Sequence, residues 1–407
     1  MTGPLDHVRV LELSRILAGP WAAQTLADLG ATVVKVEKPG VGDDTRTFGP
    51  PFLTTSDGRR TGESAYFMST NRGKRSVTID FVQPEGQRLV TQLAAGSDIV
   101  IENFKVGSLT KFNLDYASLK SVNPGLIYCS ITGFGQTGPN REKPGYDFMI
   151  QGTGGLMSVT GEPDERPGGS PIKVGVAVAD IFTGLYATIA ILGALASRDR
   201  SGRGQHIDIS LLDSQVSILA NQAMNYLVSG QVPERMGNAH PNIVPYQVFA
   251  TSDGHVILAV GNQNQFVRFC EVAGRSDLVS DERFASNPSR VDHRDELIAV
   301  LNQIFRTRTS RYWIETLENA GVPCGPINTI ADVFADPQVQ ARGMRLELHH
   351  PILGAVPSVA SPIKYSETQI SYDRAAPMLG EHTDEVLRDL LGVTLEEIDR
   401  MRKRGII

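Results

Sequence analysis

The chain is poor in the residues that staple, coordinate or anchor. Three cysteines stand far apart among 407 residues, at Cys129, Cys270 and Cys324, with no CxxC or Cys/His spacing, so neither a disulfide framework nor a zinc site is expected. Basic residues form no run able to follow a phosphate backbone, and Lys plus Arg (39) fall short of Asp plus Glu (45), giving a net charge of -6 that argues against nucleic acid as a partner. The opening residues lack the basic-then-apolar order of a signal peptide, and with reduced cysteines this points to the cytoplasm. One long uncharged stretch occurs, Ile181 to Ser197. Its Thr183, Gly184, Thr188 and Gly193, and its tight bounds at Asp180 and Arg198, suit a buried helix better than a membrane span.

What is present is ordinary globular text, long enough for two domains. The first 135 residues alternate strand and helix signals. Strands are expected at Val8 to Leu13, Ala31 to Val36, Asp98 to Ile101 and Leu126 to Ile131, with helices at Trp21 to Leu29, Glu85 to Ala95 and Tyr116 to Ser121. That order predicts an open parallel sheet of doubly wound, Rossmann-like type. Yet the first strand runs into Ser14-Arg15-Ile16-Leu17-Ala18-Gly19-Pro20 instead of a GxGxxG turn, which disfavours NAD or FAD. Gly133 to Gly175 is a long Gly and Pro rich region of the kind that forms active-site walls. Gln205 to Ile209 reads as a strand entering one long helix, Asp213 to Leu227. A change of composition then suggests a large domain of residues 1–200 and 335–407, a linker helix at 201–225 and a smaller α+β domain at 226–334.

Asp180 ends the segment Val174-Gly-Val-Ala-Val-Ala and meets the start of the apolar helix. An aspartate there reads first as a helix cap. The other reading is a carboxylate held at a pocket mouth for nucleophilic work, and residue grammar alone leaves both open.

A set of ordered segments resembles the class III coenzyme A transferases, the family that includes formyl-CoA and carnitine-type enzymes. These are Leu17-Ala-Gly-Pro20, Val33-Val-Lys-Val-Glu37, Asn71-Arg-Gly-Lys-Arg-Ser76, Glu102-Asn-Phe104, Gly133-Phe-Gly-Gln-Thr-Gly-Pro139, Gly145-Tyr-Asp147, Gly202-Arg-Gly-Gln205, Gly321-Val-Pro-Cys-Gly-Pro326 and Leu379-Gly-Glu-His-Thr-Asp-Glu-Val386. The resemblance runs from Leu5 to the C-terminus. It implies a nucleophile at Asp180, no tightly bound cofactor, coenzyme A thioesters as substrates, and a homodimer of interlocked rings. For CoA it implies Arg15, Ile16, Lys38, Asn103, Phe104 and Lys111, with Phe134 near the thiol arm and Tyr146 at the same site. Val82 and Thr132 depart from positions where some relatives carry a basic residue. Tyr146 also stands where the related α-methylacyl-CoA racemases place a histidine, which removes the partner for α-proton chemistry.

Leu17 replaces the glutamine of oxalate-using relatives. Gly42 to Pro51, Ile243-Val-Pro-Tyr-Gln247 and Gly261-Asn-Gln263 instead resemble the dicarboxylate-using branch typified by succinate-hydroxymethylglutarate CoA transferase. A C4 to C6 dicarboxylate acceptor is then expected. Arg46, Arg15 and His240 become candidates to hold its distal carboxylate, against a structural salt bridge or a CoA contact for Arg46. Gly261, Asn262 and Gln263, in a stretch to Gln265 that resembles the family's mobile glycine loop over the intermediate, are candidates at the substrate, against a plain strand-to-helix turn. The rival functions are a CoA transferase for a monocarboxylate such as carnitine, a racemase, and a CoA-binding protein without turnover.

Overall fold

The computed structural model describes residues 3–55, 57–370 and 372–407. In chain order the strands are β1 Arg9–Glu12, β2 Thr32–Glu37, the hairpin β3 Phe52–Thr54 and β4 Arg60–Ser64, then β5 Lys74–Thr78, β6 Ile99–Glu102, β7 Ile127–Thr132 and β8 His206–Ser210. Six of them form one sheet in the order β5-β2-β1-β6-β7-β8, every neighbouring pair parallel. Numbered within the sheet this is the doubly wound order 3-2-1-4-5-6, and the chain reverses direction between β1 and β6. Val10 lies opposite both Val33 and Ile99.

Both faces are covered, so the strands are apolar on each side. Val10, Val33, Ile99, Ile101 and Ile127 pack on one face with the helices Ala18–Asp28 and Val178–Ser201. Leu11, Val34, Val77, Val100 and Tyr128 pack on the other with the helix Pro84–Ala95 and with Val386, Leu387, Ile398 and Met401 of the C-terminal helices. The helix Val178–Ser201 is long and apolar enough to cross a membrane by length and composition. Here its Gly184 lies so close to the first helix that an added Cβ would stand 2.7 Å from the Ala18 carbonyl oxygen.

The chain forms two compact units. One comprises the residues up to Leu156 with Val174–Met224 and Pro337–Ile407, including the hairpin of Arg345–His350 and Gly354–Val359. Residues 157–173, read from sequence as part of the large domain, group with the second unit, and most of the presumed linker belongs to the first. The single helix expected over 213–227 is two, Leu211–Ser217 and Ala220–Ser229, parted where Ala220 adopts φ +46°. The second unit has a three-stranded antiparallel sheet, Tyr246–Ala250, His255–Ala259 and Cys324–Gly325, packed on helices. At its core Phe249 stacks on Phe305 at 4.6 Å, and Trp313 lies 4.9 Å from the same ring.

Candidate active site

In doubly wound sheets ligands bind beyond the carboxyl ends of the strands where the order reverses. The turn after β1 and the turn after β6 meet at that place. Asn103 holds Arg15 by both backbone groups: the Arg15 N–H donates to Asn103 Oδ1 at 2.9 Å, and Asn103 Nδ2 donates to the Arg15 carbonyl at 2.7 Å. Ile16 follows with φ +71°, a backbone region that a β-branched residue enters only under constraint. The constraint is Asp43, whose carboxylate accepts the Ile16 N–H at 3.1 and 3.2 Å.

Beneath this turn runs a dry chain of charge. Lys35 Nζ lies 3.0 Å from Asp43, 3.0 Å from Glu12 and 2.9 Å from the Ser14 carbonyl, and Lys74 Nζ lies 2.8 Å from Glu12. All four side chains are buried. Burial pushes the Asp43 carboxyl up, but Lys35 and the Thr45 donors outweigh it and hold the group at about 2. Burial lowers Lys74 to about 8 despite Glu12.

The opposite wall is set by two glycines. A Cβ on Gly133 would stand 2.6 Å from the Gly145 Cα, so the backbone after β7 and the segment Lys143-Pro144-Gly145 can pack back to back only without side chains. This seats Tyr146 on the rim, 63% exposed, and starts the helix Asp147–Thr153. Arg15, Ile16, Asn103, Phe104, Thr132, Tyr146 and Asp180 line the resulting cleft of about 400 Å³, with Arg141 and Lys143 at its edge. That size suits a small ligand or part of a larger one.

Asp180 is not the cap of its helix. The helix begins at Val178, which makes Asp180 its third residue. The capping is done from outside by Asp147, whose Oδ1 accepts the Ala179 N–H at 2.8 Å and the Asp180 N–H at 3.3 Å. Buried Gln151 steadies Asp147, donating to its Oδ2 at 2.7 Å while accepting the Val174 N–H at 2.8 Å. The Asp180 carboxylate is thereby released from structural duty: among the described residues no group donates a hydrogen bond to it, and it faces the cleft. Partial burial first, then the like charge of Asp147, raises it from 3.8 to about 7. Such a group is poised to exchange charge near neutrality.

The remaining expected site residues divide. Lys38 is exposed beside a neighbouring groove that Phe104 and Val82 also line. Lys111 is exposed over the Phe112 ring at 4.7 Å and does not line the cleft, and Phe134 packs against the core next to it. Arg46 is corrected to a structural role. It is buried, forks onto Glu37 at 2.7 and 2.8 Å, reaches Glu63 at 2.6 Å and the Pro377 carbonyl at 3.2 Å, and lies 3.7 Å over Phe67, leaving no free edge for a substrate.

In the second unit the His240 N–H donates to the Tyr246 carbonyl, and the Val260 N–H to Pro245, so the segments holding His240 and Gly261 share one end of the small sheet. Asn262 caps the following helix by accepting the Gln265 N–H at 3.0 Å, and Gly261 donates to Gln265 Oε1 at 2.8 Å. The 261–265 stretch is thus a capped strand-to-helix turn. Gln263 is held at 2.8 Å by buried Arg290, which also donates to the Val244 and Phe284 carbonyls. Sequence reasoning missed Asp147 as cap, the Asp43–Lys35 support, Arg141, Lys143 and Arg290. Only the charges inside the Gly and Pro rich region offered a signal.

A parallel sheet with a cleft at its switch point, and a carboxylate facing that cleft under a glycine-built wall, is the arrangement of an α/β enzyme. A family model described as CoA-transferase family III matches residues 5–383. The chain is 53% identical over 387 residues to a succinate–glutarate CoA-transferase of Agrobacterium fabrum, covering 95% of this chain and 96% of that one. It is 40% identical over 404 residues to a human succinyl-CoA:glutarate CoA-transferase, covering 99% and 90%. Among solved structures, a CaiB/BaiF family protein from Brucella suis matches with a TM-score of 0.84 at 54% identity, covering 96% of this chain and 100% of that one. The chain belongs to CoA-transferase family III and is an enzyme of that class.

Proposed function

We propose that this enzyme moves coenzyme A from succinyl-CoA to a C4 to C6 dicarboxylate such as glutarate, with Asp180 as the covalent carrier. The observation that carries the reading is the Asp180 carboxylate, relieved of capping by Asp147 and facing the cleft without a donor of its own. The substrate pair follows the names of the Agrobacterium and human relatives.

An Asp180 oxygen attacks the thioester carbonyl carbon, the C–S bond breaks, and CoA leaves as thiolate from a mixed anhydride. The thiolate then attacks the Asp180 carbonyl of that anhydride, releasing succinate and leaving an aspartyl-CoA thioester. The acceptor carboxylate attacks this thioester, expelling the thiolate and forming a second anhydride. The thiolate attacks the acceptor's acyl carbon, which yields the new acyl-CoA and the free Asp180 carboxylate. Every step exchanges one anion for another, so no general base is needed. No histidine lines the cleft among the described residues, which suits transfer better than α-proton exchange.

Incubation with succinyl-CoA followed by mass spectrometry of the Asp180 peptide tests the carrier. A CoA adduct that disappears on adding glutarate is the expected result; its absence during turnover removes Asp180 from the mechanism.

The homodimer implied by the family resemblance is supported by one face of the helix Val178–Ser201. Phe182, Leu185, Tyr186, Ile189 and Leu192 recur there at helical spacing and stay exposed, Ile189 at 63%. Light scattering of the protein and of Ile189→Glu decides it. A monomeric wild type defeats the assignment.

A further inference from the structure

The Glu102-Asn-Phe104 segment places Asn103 and Phe104 on the cleft but turns Glu102 away from it, to the end wall of a second groove of about 320 Å³ bordered by Ser130, Tyr116 and His206. Glu102 is 5% exposed and Ser130 2%. The Glu102 carboxylate accepts the Phe104 N–H at 2.8 Å and is also hydrogen-bonded by Ser130, whose Oγ lies 2.9 Å from His206 Nε2. His206 is itself fixed by stacking on Tyr116 at 5.1 Å.

We infer that Glu102 is a positioning residue for the acyl-CoA substrate, holding the Asn103–Phe104 turn through the Phe104 N–H, with Ser130 and His206 behind it as the brace. The path to the cleft is continuous. Glu102 fixes the turn, Asn103 grips Arg15 by its N–H and carbonyl, and Arg15 leads directly into the constrained Ile16. Without the Glu102 acceptor the Phe104 N–H is left unsatisfied and the turn loses its only side-chain tether from β6 among the described residues.

Burial raises the Glu102 carboxyl to about 7, against the Ser130 and Phe104 donors, so it spends part of its time neutral near pH 7. Its remaining oxygen still accepts when it is neutral. The anchor is therefore a matter of hydrogen bonding, which an amide can supply.

The inference rests on the reading that the cleft takes a CoA thioester, and the test separates the two. Wild type, Glu102→Gln, Glu102→Leu and Ser130→Ala are compared by steady-state kinetics with succinyl-CoA and glutarate, and by calorimetric binding of free CoA. Glu102→Leu, which removes the acceptor, is expected to raise KM for succinyl-CoA and the dissociation constant of CoA by about tenfold, the upper end of the effect of one ordinary buried hydrogen bond. KM for glutarate and kcat should change by less than about threefold. Glu102→Gln restores the wild-type values, and Ser130→Ala lies between.

Equal losses in kcat and in both KM values, or no recovery with Gln, overturn the inference. Should Glu102→Leu fail to fold, Ser130→Ala carries the decision, and an unchanged KM for succinyl-CoA there is equally fatal. Phe104→Ala is the control for the underlying reading. If it binds CoA as tightly as wild type, the cleft is not the CoA site; if it weakens binding while Glu102→Leu does not, only the positioning role falls.

Discussion

Asp180→Asn should cost the enzyme its transferase activity and make the fold more stable, but only above acid pH. The Asp180 carboxyl is raised from 3.8 to about 7 by burial and by Asp147. As pH rises past about 4 the unfolded chain releases this proton, while the native state retains it until about 7. The unfolded state thus binds fewer protons across the window, and native stability falls as pH climbs through it. About three pKa units correspond to a ceiling of roughly 4 kcal/mol. The carboxylate is partly solvated and sits in the first turn of a helix, whose dipole returns about 1 to 2 kcal/mol, so about 2 kcal/mol remains.

An amide of the same shape escapes this cost. The variant should match wild type near pH 4, gain progressively toward pH 7, and hold an advantage of about 2 kcal/mol at pH 8. The two tryptophans make the measurement selective, since Trp21 belongs to the unit with the six-stranded parallel sheet and Trp313 to the other. In a Trp313→Phe background, urea denaturation followed by Trp21 fluorescence at stepped pH reads the unit that holds Asp180. A stability difference that stays flat from pH 4 to pH 8 would refute the claim that burial and Asp147 set the charge of Asp180.

Asp147→Asn keeps a competent cap but removes the like charge, so the acidic limb of the kcat/KM profile for succinyl-CoA should move to lower pH by up to about one unit, the midpoint of the limb being the readout. Arg46→Met strands Glu37 and Glu63 in the interior; urea denaturation should show a loss of about 3 to 5 kcal/mol with no specific rise in the glutarate KM, and the reverse pattern would return Arg46 to the substrate site. Gly145→Ala forces a methyl into the Gly133 backbone and should abolish CoA binding by calorimetry, whereas Gly62→Ala, with open space around it and no positive φ, should retain binding. Arg290→Met leaves the Val244 and Phe284 carbonyls without a donor and should weaken the unit reported by Trp313 by about 2 to 4 kcal/mol in a urea titration.

The parts of the fold legible in sequence are those whose partners are hydrocarbon. β1, β2, β6 and β7 show as short apolar runs because each is covered on both faces, and the helices Ala18–Asp28 and Pro84–Ala95 show by period, read as Trp21 to Leu29 and Glu85 to Ala95. The edge strand β5 went unseen because its text, Lys-Arg-Ser-Val-Thr, is polar. Lys74 is nonetheless fully buried, which becomes intelligible only once Glu12, the Pro20 carbonyl and Asn71 are seen around its ammonium group. The break at Ala220 was equally invisible, since alanine favours helix and nothing local announces a positive φ.

The site was legible to different depths. Asp180 stood out only through the family resemblance, because a cap and a free carboxylate share the same grammar, and the residue that separates them lies 33 positions upstream. Arg46 could not be resolved because its acids, Glu37 and Glu63, come from different strands, one on each side of it in the chain.

The charges buried under the Arg15–Ile16 turn show why such information resists sequence reading. Lys35, Glu12, Asp43 and Lys74 carry two positive and two negative charges in a dry interior, where apolar side chains of similar volume are often no less stabilising. Their arrangement gains its meaning from direction. Lys74 holds one Glu12 oxygen, Lys35 takes the other and the Ser14 carbonyl, and Asp43, aligned by Lys35, receives the Ile16 N–H. Hydrocarbon could fill that volume without aiming a single acceptor. A β-branched residue at φ +71° needs an aimed acceptor to stay there, and this one borders the cleft that Asp180 faces. The charge chain is therefore best understood as the device that keeps a strained turn in one conformation, with stability given up for position.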